Sequence, residues 1–320
     1  MNWLLFALIS TFSWGFADMF YKKSSDENDK YAYLKISIWV GLTMGIVSVF
    51  LLIFVSEMTL SELLVNAIKY TPASLGYIIS MVIGYAGLRY LELSVISPIQ
   101  NASGAFSAIA MIVFFIVTGS AENIFEEFSA LDIIGTILII FGVISLAVVE
   151  KRITDKEKVL EKADRKYKMG ALALIFPILY CVFDTIGTAA DGIILDEDTG
   201  LGLSEIDVLI LYGLTFLLFA VFAWFFILIK TKKPYNPFAK TEKNKIIASC
   251  FEEFGQIFYV YAMVANPVLT APLVAAYCIV SVILSRVFLK EKLTKAQAAT
   301  VATVIVGIVL LGISEGLAEM

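Results

Sequence analysis

Two adjacent carboxylates, Glu252 and Glu253, and an amide, Gln256, interrupt the apolar stretch CFEEFGQIF at residues 250–258. An acidic side chain at the centre of a membrane helix costs about 2.5–3.5 kcal/mol on insertion scales. Such a residue is rarely left facing lipid and is a functional candidate by default. Ser249, Glu252, Gln256 and Tyr259 recur at helical spacing, which predicts one face lining a wet cavity. Ile247, Phe251, Phe254 and Phe258 fall on the other side, towards lipid or packing. Adjacent helical residues diverge by about 100°. Glu252 is therefore assigned to the cavity and Glu253 to its edge or to a structural partner. Neighbouring carboxylates repel as anions in a low dielectric, so Glu252 and Glu253 are both proton-coupling candidates. The competing reading is that both are buried against backbone or hydroxyl groups and orient helices.

Other chemistries are poorly served. The chain has no histidine, which removes the usual general base and the commonest metal ligand. Cys181, Cys250 and Cys278 form neither a disulfide framework nor a metal-ligand spacing. Nothing resembles the phosphate-binding G-x-x-x-x-G-K-[ST] loop. The expectation is no enzyme, no cofactor, no bound metal and no nucleic-acid partner.

Asp18 and Asp184 also lie within apolar runs, as paired gates or one translocation path, although Asp18 could instead reach the interface near Lys22. A polar and small stripe runs through Ser97, Gln100, Asn101, Ser103, Gly104 and Ser107. Small residues there permit close helix packing, whereas Gln100 and Asn101 favour a cavity. Trp14, Trp39, Tyr77, Tyr180, Tyr212, Tyr259 and Tyr277 recur on the same segments. Most membrane aromatics pack or anchor, but beside carboxylates their faces can hold a cation. The candidate substrate site is Glu252, Gln256, Tyr259, Trp14, Asp18, Tyr77, Asn101, Tyr180, Asp184 and Tyr277.

These residues require membrane helices to position them. The 320-residue chain is 59% hydrophobic and 17% charged, against roughly 45–50% and about 25% in soluble domains. Ten segments reach the roughly 20 residues that span a bilayer core: 2–21, 33–55, 73–91, 95–117, 130–149, 169–190, 205–229, 246–265, 268–289 and 297–316. The first is read as a retained helix. Residues 59–70 are too short to span and predict an amphipathic helix in the outer interface, with Leu60, Leu63, Leu64, Ala67 and Ile68 on one face. All 24 basic residues except Lys69 fall on the side of the connections after segments 1, 3, 5, 7 and 9. The connector 151–168 alone holds eight. Basic connections mark the cytoplasmic side, so both termini are expected outside, in the plasma membrane.

The two halves repeat in order. GLT at 41–43 matches GLT at 213–215, Trp14 pairs with Tyr180, Asp18 with Asp184, Pro98 with Pro272 and Gly142 with Gly307. Five segments per half is an odd number, so the second half enters from the opposite side. The expected fold is all-α and integral to the membrane: ten helices as two inverted five-helix repeats, 1–150 and 169–320, joined by the basic connector 151–168. Inverted repeats of this kind support alternating access around a midplane site.

The run YVYAMVANPVLTAPLVAAYCIVSVILSRVFLKEKLTKAQAATVATVIVGIVLL, 259–311, resembles the second half of an EamA-type transporter of the drug/metabolite transporter superfamily. SWGFADMFYKK, 13–23, resembles that family's first-helix Trp-Gly signature, and SEIDVLILYG, 204–213, is similar to bacterial choline carriers of the superfamily. The resemblance implies a ten-helix basket with a central cavity. Where the family often ends its fourth and ninth helices with Gly-Glu, this chain has Gly119-Ser120 and Lys290-Glu291. The expected function is a secondary transporter of a small polar metabolite, with an amine, quaternary ammonium or amino-acid-like solute favoured and coupling through protons. The partners are that solute and membrane lipid, and a monomer is favoured. A passive pore or a ligand-binding membrane receptor is the alternative.

Overall fold

A computed structural model describes residues 3–26, 29–91, 93–119, 129–160, 173–196, 200–201, 203–289 and 294–318. The fold is 87% helical, with no strand among the described residues. In hydrocarbon a helix satisfies its own backbone, so apolar runs of this length have little alternative. The helices are α1 (Trp3–Ser24), α2 (Ala32–Phe54), α3 (Leu60–Gly87), α4 (Leu93–Gln100), α5 (Ser103–Thr118) and α6 (Ala130–Leu160) in the first half. The second half has α7 (Ile175–Leu195), α8 (Glu205–Thr231), α9 (Lys243–Ala265), α10 (Pro267–Ala275), α11 (Tyr277–Leu289) and α12 (Lys295–Ala318).

Among the described residues seven spans are long and apolar enough to cross a membrane, making this a multi-pass membrane protein. Two of the seven, Val95–Thr118 and Pro267–Phe288, are each built from two helical rods, α4–α5 and α10–α11. Sequence periodicity reads each as one unbroken segment. The chain instead leaves the helix after Gln100 and at Ala276, and a proline is the sixth residue of each first rod, Pro98 and Pro272. A proline inside a helix removes one backbone donor and crowds the preceding turn.

The expected interfacial helix at 59–70 is not separate. It is the first part of α3, a 28-residue helix opened by a Thr59–Glu62 capping box. That reciprocal box satisfies two of the orphan donors at a helix start, and Pro72 does not end the helix. The connector is also shorter than expected, because α6 continues to Leu160. Its remainder at 161–168, the acidic AENIFEE, most of DEDTG, Ser120 and Lys290-Glu291 lie outside the described residues.

The most extensive packing joins the halves: α1 on α9, α2 on α8, α3 on α7 and α6 on α12, with α5 on α10 and α4 on α11. Glycine permits two of these close approaches. A Cβ on Gly76 would meet the Gly187 backbone at 2.6 Å, and one on Gly104 would strike Ala275 and the Ala271 carbonyl. Small residues at helix crossings let backbones come together in this way.

Candidate functional site

A cavity of about 70 Å³ lies where the two broken helices meet α1, α3, α7, α8 and α9. That is room for several waters or the head of a small solute. Its acidic groups are Asp18, Asp184 and Glu252, and among the described residues no lysine or arginine lines it. Trp14, Tyr21, Tyr77 and Tyr85 form one part of the wall, and Tyr180, Tyr212, Tyr259 and Tyr277 the other. Gln100, Asn101, Ser103 and Gly104 face in from the α4–α5 break. Ala275 and Tyr277 do so from the α10–α11 break.

The carboxylates are served unequally. Asp18 accepts from Ser97 Oγ of α4 at 2.6 Å and Ser281 Oγ of α11 at 2.8 Å. Asp184 accepts from Ser103 Oγ of α5 at 2.6 Å and Ser80 Oγ of α3 at 3.4 Å. Each aspartate thus fastens a broken helix to an unbroken one. Glu252 is held through its backbone, whose carbonyl accepts from Trp14 Nε1 at 3.1 Å. The Tyr21 hydroxyl lies beside its carboxylate and beside Tyr85. Gln100 Nε2, buried at the same cavity, has no hydrogen-bond partner. Charged and polar groups left open in a dry site are costly unless a guest completes them.

Aromatic packing sets the shape. Trp14 lies 5.1 Å from Tyr259 and 5.9 Å edge-on to Tyr277, while Tyr21 and Tyr85 are 4.7 Å apart. These separations fall within the usual range for paired rings. Ring faces beside carboxylates are groups with which a cation can interact favourably.

Of the ten sequence-derived site residues, the cavity gathers Trp14, Asp18, Tyr77, Asn101, Tyr180, Asp184, Glu252, Tyr259 and Tyr277. Gln256 is not among its lining residues. It and Ser249 lie on a neighbouring strip of α9, where Thr43 of α2 donates to Ser249 Oγ at 2.9 Å. Residues seven apart return to nearly the same direction, so Glu252 aligns with Tyr259 and Ser249 with Gln256, roughly 60° apart. The single expected face is thus two. Glu253 is buried but does not line the cavity. Phe254 points outward and is 50% exposed.

Sequence reasoning missed Tyr21 and Tyr85, which stand beside Lys22 and near Arg89 in the chain but line the cavity. It also missed Asp191, which is fully buried and accepts from the Tyr70 hydroxyl at 2.5 Å and the Tyr77 hydroxyl at 3.4 Å. The acidic DEDTG just beyond made Asp191 read as the start of a loop.

No protein-family model matches the chain, and no curated protein matches it. A solved structure described only as "Crystal structure of protein" is similar to it, with a TM-score of 0.60 and 12% identity over 100% of this chain and 99% of that chain. At that identity the likeness is one of fold.

Proposed function

We propose that the protein is a secondary transporter of a small cationic solute, an amine or quaternary ammonium compound, working by alternating access in the plasma membrane with both termini outside. The observation that carries this reading is the cavity itself: three carboxylates and eight aromatic side chains, with no basic residue lining it among the described residues. A solute with a positive head supplies the missing counter-charge, and the aromatic walls accept its apolar surface. Protonation of Glu252 supplies exchange coupling. A proton and a cation then compete for one negative group.

The fold supports ten spans arranged as two inverted five-helix repeats. Call the five spans of each half first to fifth, with α4–α5 and α10–α11 as the fourth. The packing then pairs first with third, third with first, second with second, fourth with fourth and fifth with fifth. That set maps onto itself when the halves are exchanged, as a two-fold axis requires. The broken fourth spans place irregular backbone at the cavity, where broken transporter helices bind their cargo. The resemblance to EamA-type proteins in 13–23 and 259–311 points the same way.

The test is reconstitution into liposomes with tetramethylammonium as probe. Saturable, pH-sensitive uptake that Glu252→Gln removes supports the reading. Conductance without saturation assigns a pore, and binding without flux assigns a receptor.

A further inference from the structure

Asp191 lies outside the cavity lining and is one of the most deeply buried charged side chains in the molecule, with no exposed surface. It sits two helical turns beyond Asp184, about 10 Å by the rise of α7. Among the described residues no lysine or arginine forms an ion pair with it. Its donors are two phenols of α3, Tyr70 and Tyr77. The Tyr77 hydroxyl is also 2.6 Å from the Tyr259 hydroxyl, and either oxygen can be the donor of that bond. Tyr259 lines the cavity beside Trp14 and Thr188. Asp191, Tyr77 and Tyr259 therefore form an unbroken hydrogen-bonded chain from a sealed carboxylate to the solute site.

We propose that Asp191 is a second ion-binding station, one for a proton, and that the Tyr77–Tyr259 hydroxyl pair transmits its protonation state to the cavity. With Asp191 ionised, Tyr77 donates to it and Tyr259 donates to Tyr77. The Tyr259 oxygen then offers lone pairs to the cavity, which suits a cation. When a proton arrives from hydronium in the cavity, Tyr259 takes it while passing its own to Tyr77, and Tyr77 passes its own to Asp191 Oδ2, so that three O–H bonds form and three break, one of them in the hydronium, and the carboxyl then donates to Tyr77. Tyr77 now donates to Tyr259, and the Tyr259 hydroxyl hydrogen turns toward the cavity, which repels a cation. One proton reverses the direction of two hydrogen bonds and turns the Tyr259 hydroxyl, with no heavy atom displaced.

The surroundings leave this chain as the route. The titratable groups facing Asp191 are Tyr70 and Tyr77 from α3, Tyr212 from α8 and Tyr259 from α9. Asp184 and Glu252 are the next carboxylates towards the cavity. The neighbouring α4, α5 and α10 contain no titratable side chain. Met111, Met263 and Pro267 close around the adjacent Gly192.

The inference rests on the reading of the cavity as a cation site, and two readouts separate them. The first is the infrared carboxyl stretch of the full-length protein in lipid, titrated between about pH 5 and about pH 9. Asp191→Asn, whose amide oxygen accepts from Tyr70 and whose amide nitrogen donates to Tyr77 as the protonated carboxyl does, is expected to remove one titrating band. The second is tetramethylammonium affinity against pH, where coupling of about 5–150-fold is the usual size for linked sites. Tyr77→Phe is expected to keep the Asp191 band while reducing that coupling severalfold. An unchanged set of bands in Asp191→Asn overturns the proposal, as does unchanged coupling in Tyr77→Phe. If tetramethylammonium fails to bind while the Asp191 band persists, the cation reading falls and the proton station stands.

Discussion

Buried acids occur in two settings in this molecule, and they are handled in opposite ways. At the boundary formed by the loop between α8 and α9, Glu242 is buried against Lys245, with a 2.8 Å ion pair, and accepts from the Tyr235 hydroxyl at 2.6 Å. Asp29 pairs with Lys35 at 2.6 Å nearby. In the middle, Asp191 and Glu252 are as well hidden, and Asp18 and Asp184 are half-buried, but all four have hydroxyl neighbours and no basic partner among the described residues. Where a charge serves only the fold, the chain supplies its counter-ion. Where it does not, the proposed reading brings the counter-ion from outside, as the cargo.

The contrast breaks most severely at Glu252. Removing its charge with Glu252→Gln costs a bound cation about 3 kcal/mol if the two lie about 5 Å apart at an effective dielectric near 20. Roughly a hundredfold loss of tetramethylammonium affinity by equilibrium dialysis is expected, with little change in thermal stability. An unaltered affinity would place Glu252 among the structural acids. Next comes Gly104→Val, which places a branched side chain against Ala271 and Ala275. Overpacking of this kind costs about 1–3 kcal/mol, so it should lower the melting temperature in detergent and narrow the cavity without touching a carboxylate.

Lys245→Ala tests the opposite setting. It is expected to destabilise by about 1–2 kcal/mol, below the full range for a buried pair because water at the boundary screens it, and to leave probe binding intact. Burial opposes ionisation of Glu242, but Lys245 and Tyr235 outweigh it and hold its carboxyl below the ordinary carboxylate range. A group lowered on folding contributes stability above its unfolded pKa and loses it as pH falls through the folded one. Acid should therefore lower the melting temperature of the wild type more than that of Lys245→Ala. The smallest effect is expected for the outward-facing Phe254→Leu, within about 0.5 kcal/mol, and a larger change would mean that this face packs on something.

Most of this arrangement is written in residue types. Carboxylates in apolar runs and the Asp18–Asp184 and Pro98–Pro272 equivalences lead to the cavity without coordinates. What resists reading has physical causes. Ser249, Glu252, Gln256 and Tyr259 span roughly 80° of one helix, within a single broad face by periodicity, and only the neighbours α1 and α2 divide it. Asp191 stands one residue past the expected end of its segment, where an acid normally meets water. The breaks at Asn101 and Ala276 leave no glycine–proline punctuation, because the prolines precede them by a few residues. The amphipathic pattern of 59–70 describes a helix correctly but says nothing about where that helix stops.

The two interruptions at the cavity touch one another, Gly104 fitting against Ala271 and Ala275. On the proposed alternating-access reading each is an elbow between stiff rods, and because the elbows are nested a swing of one rod would lever the other in the opposite sense.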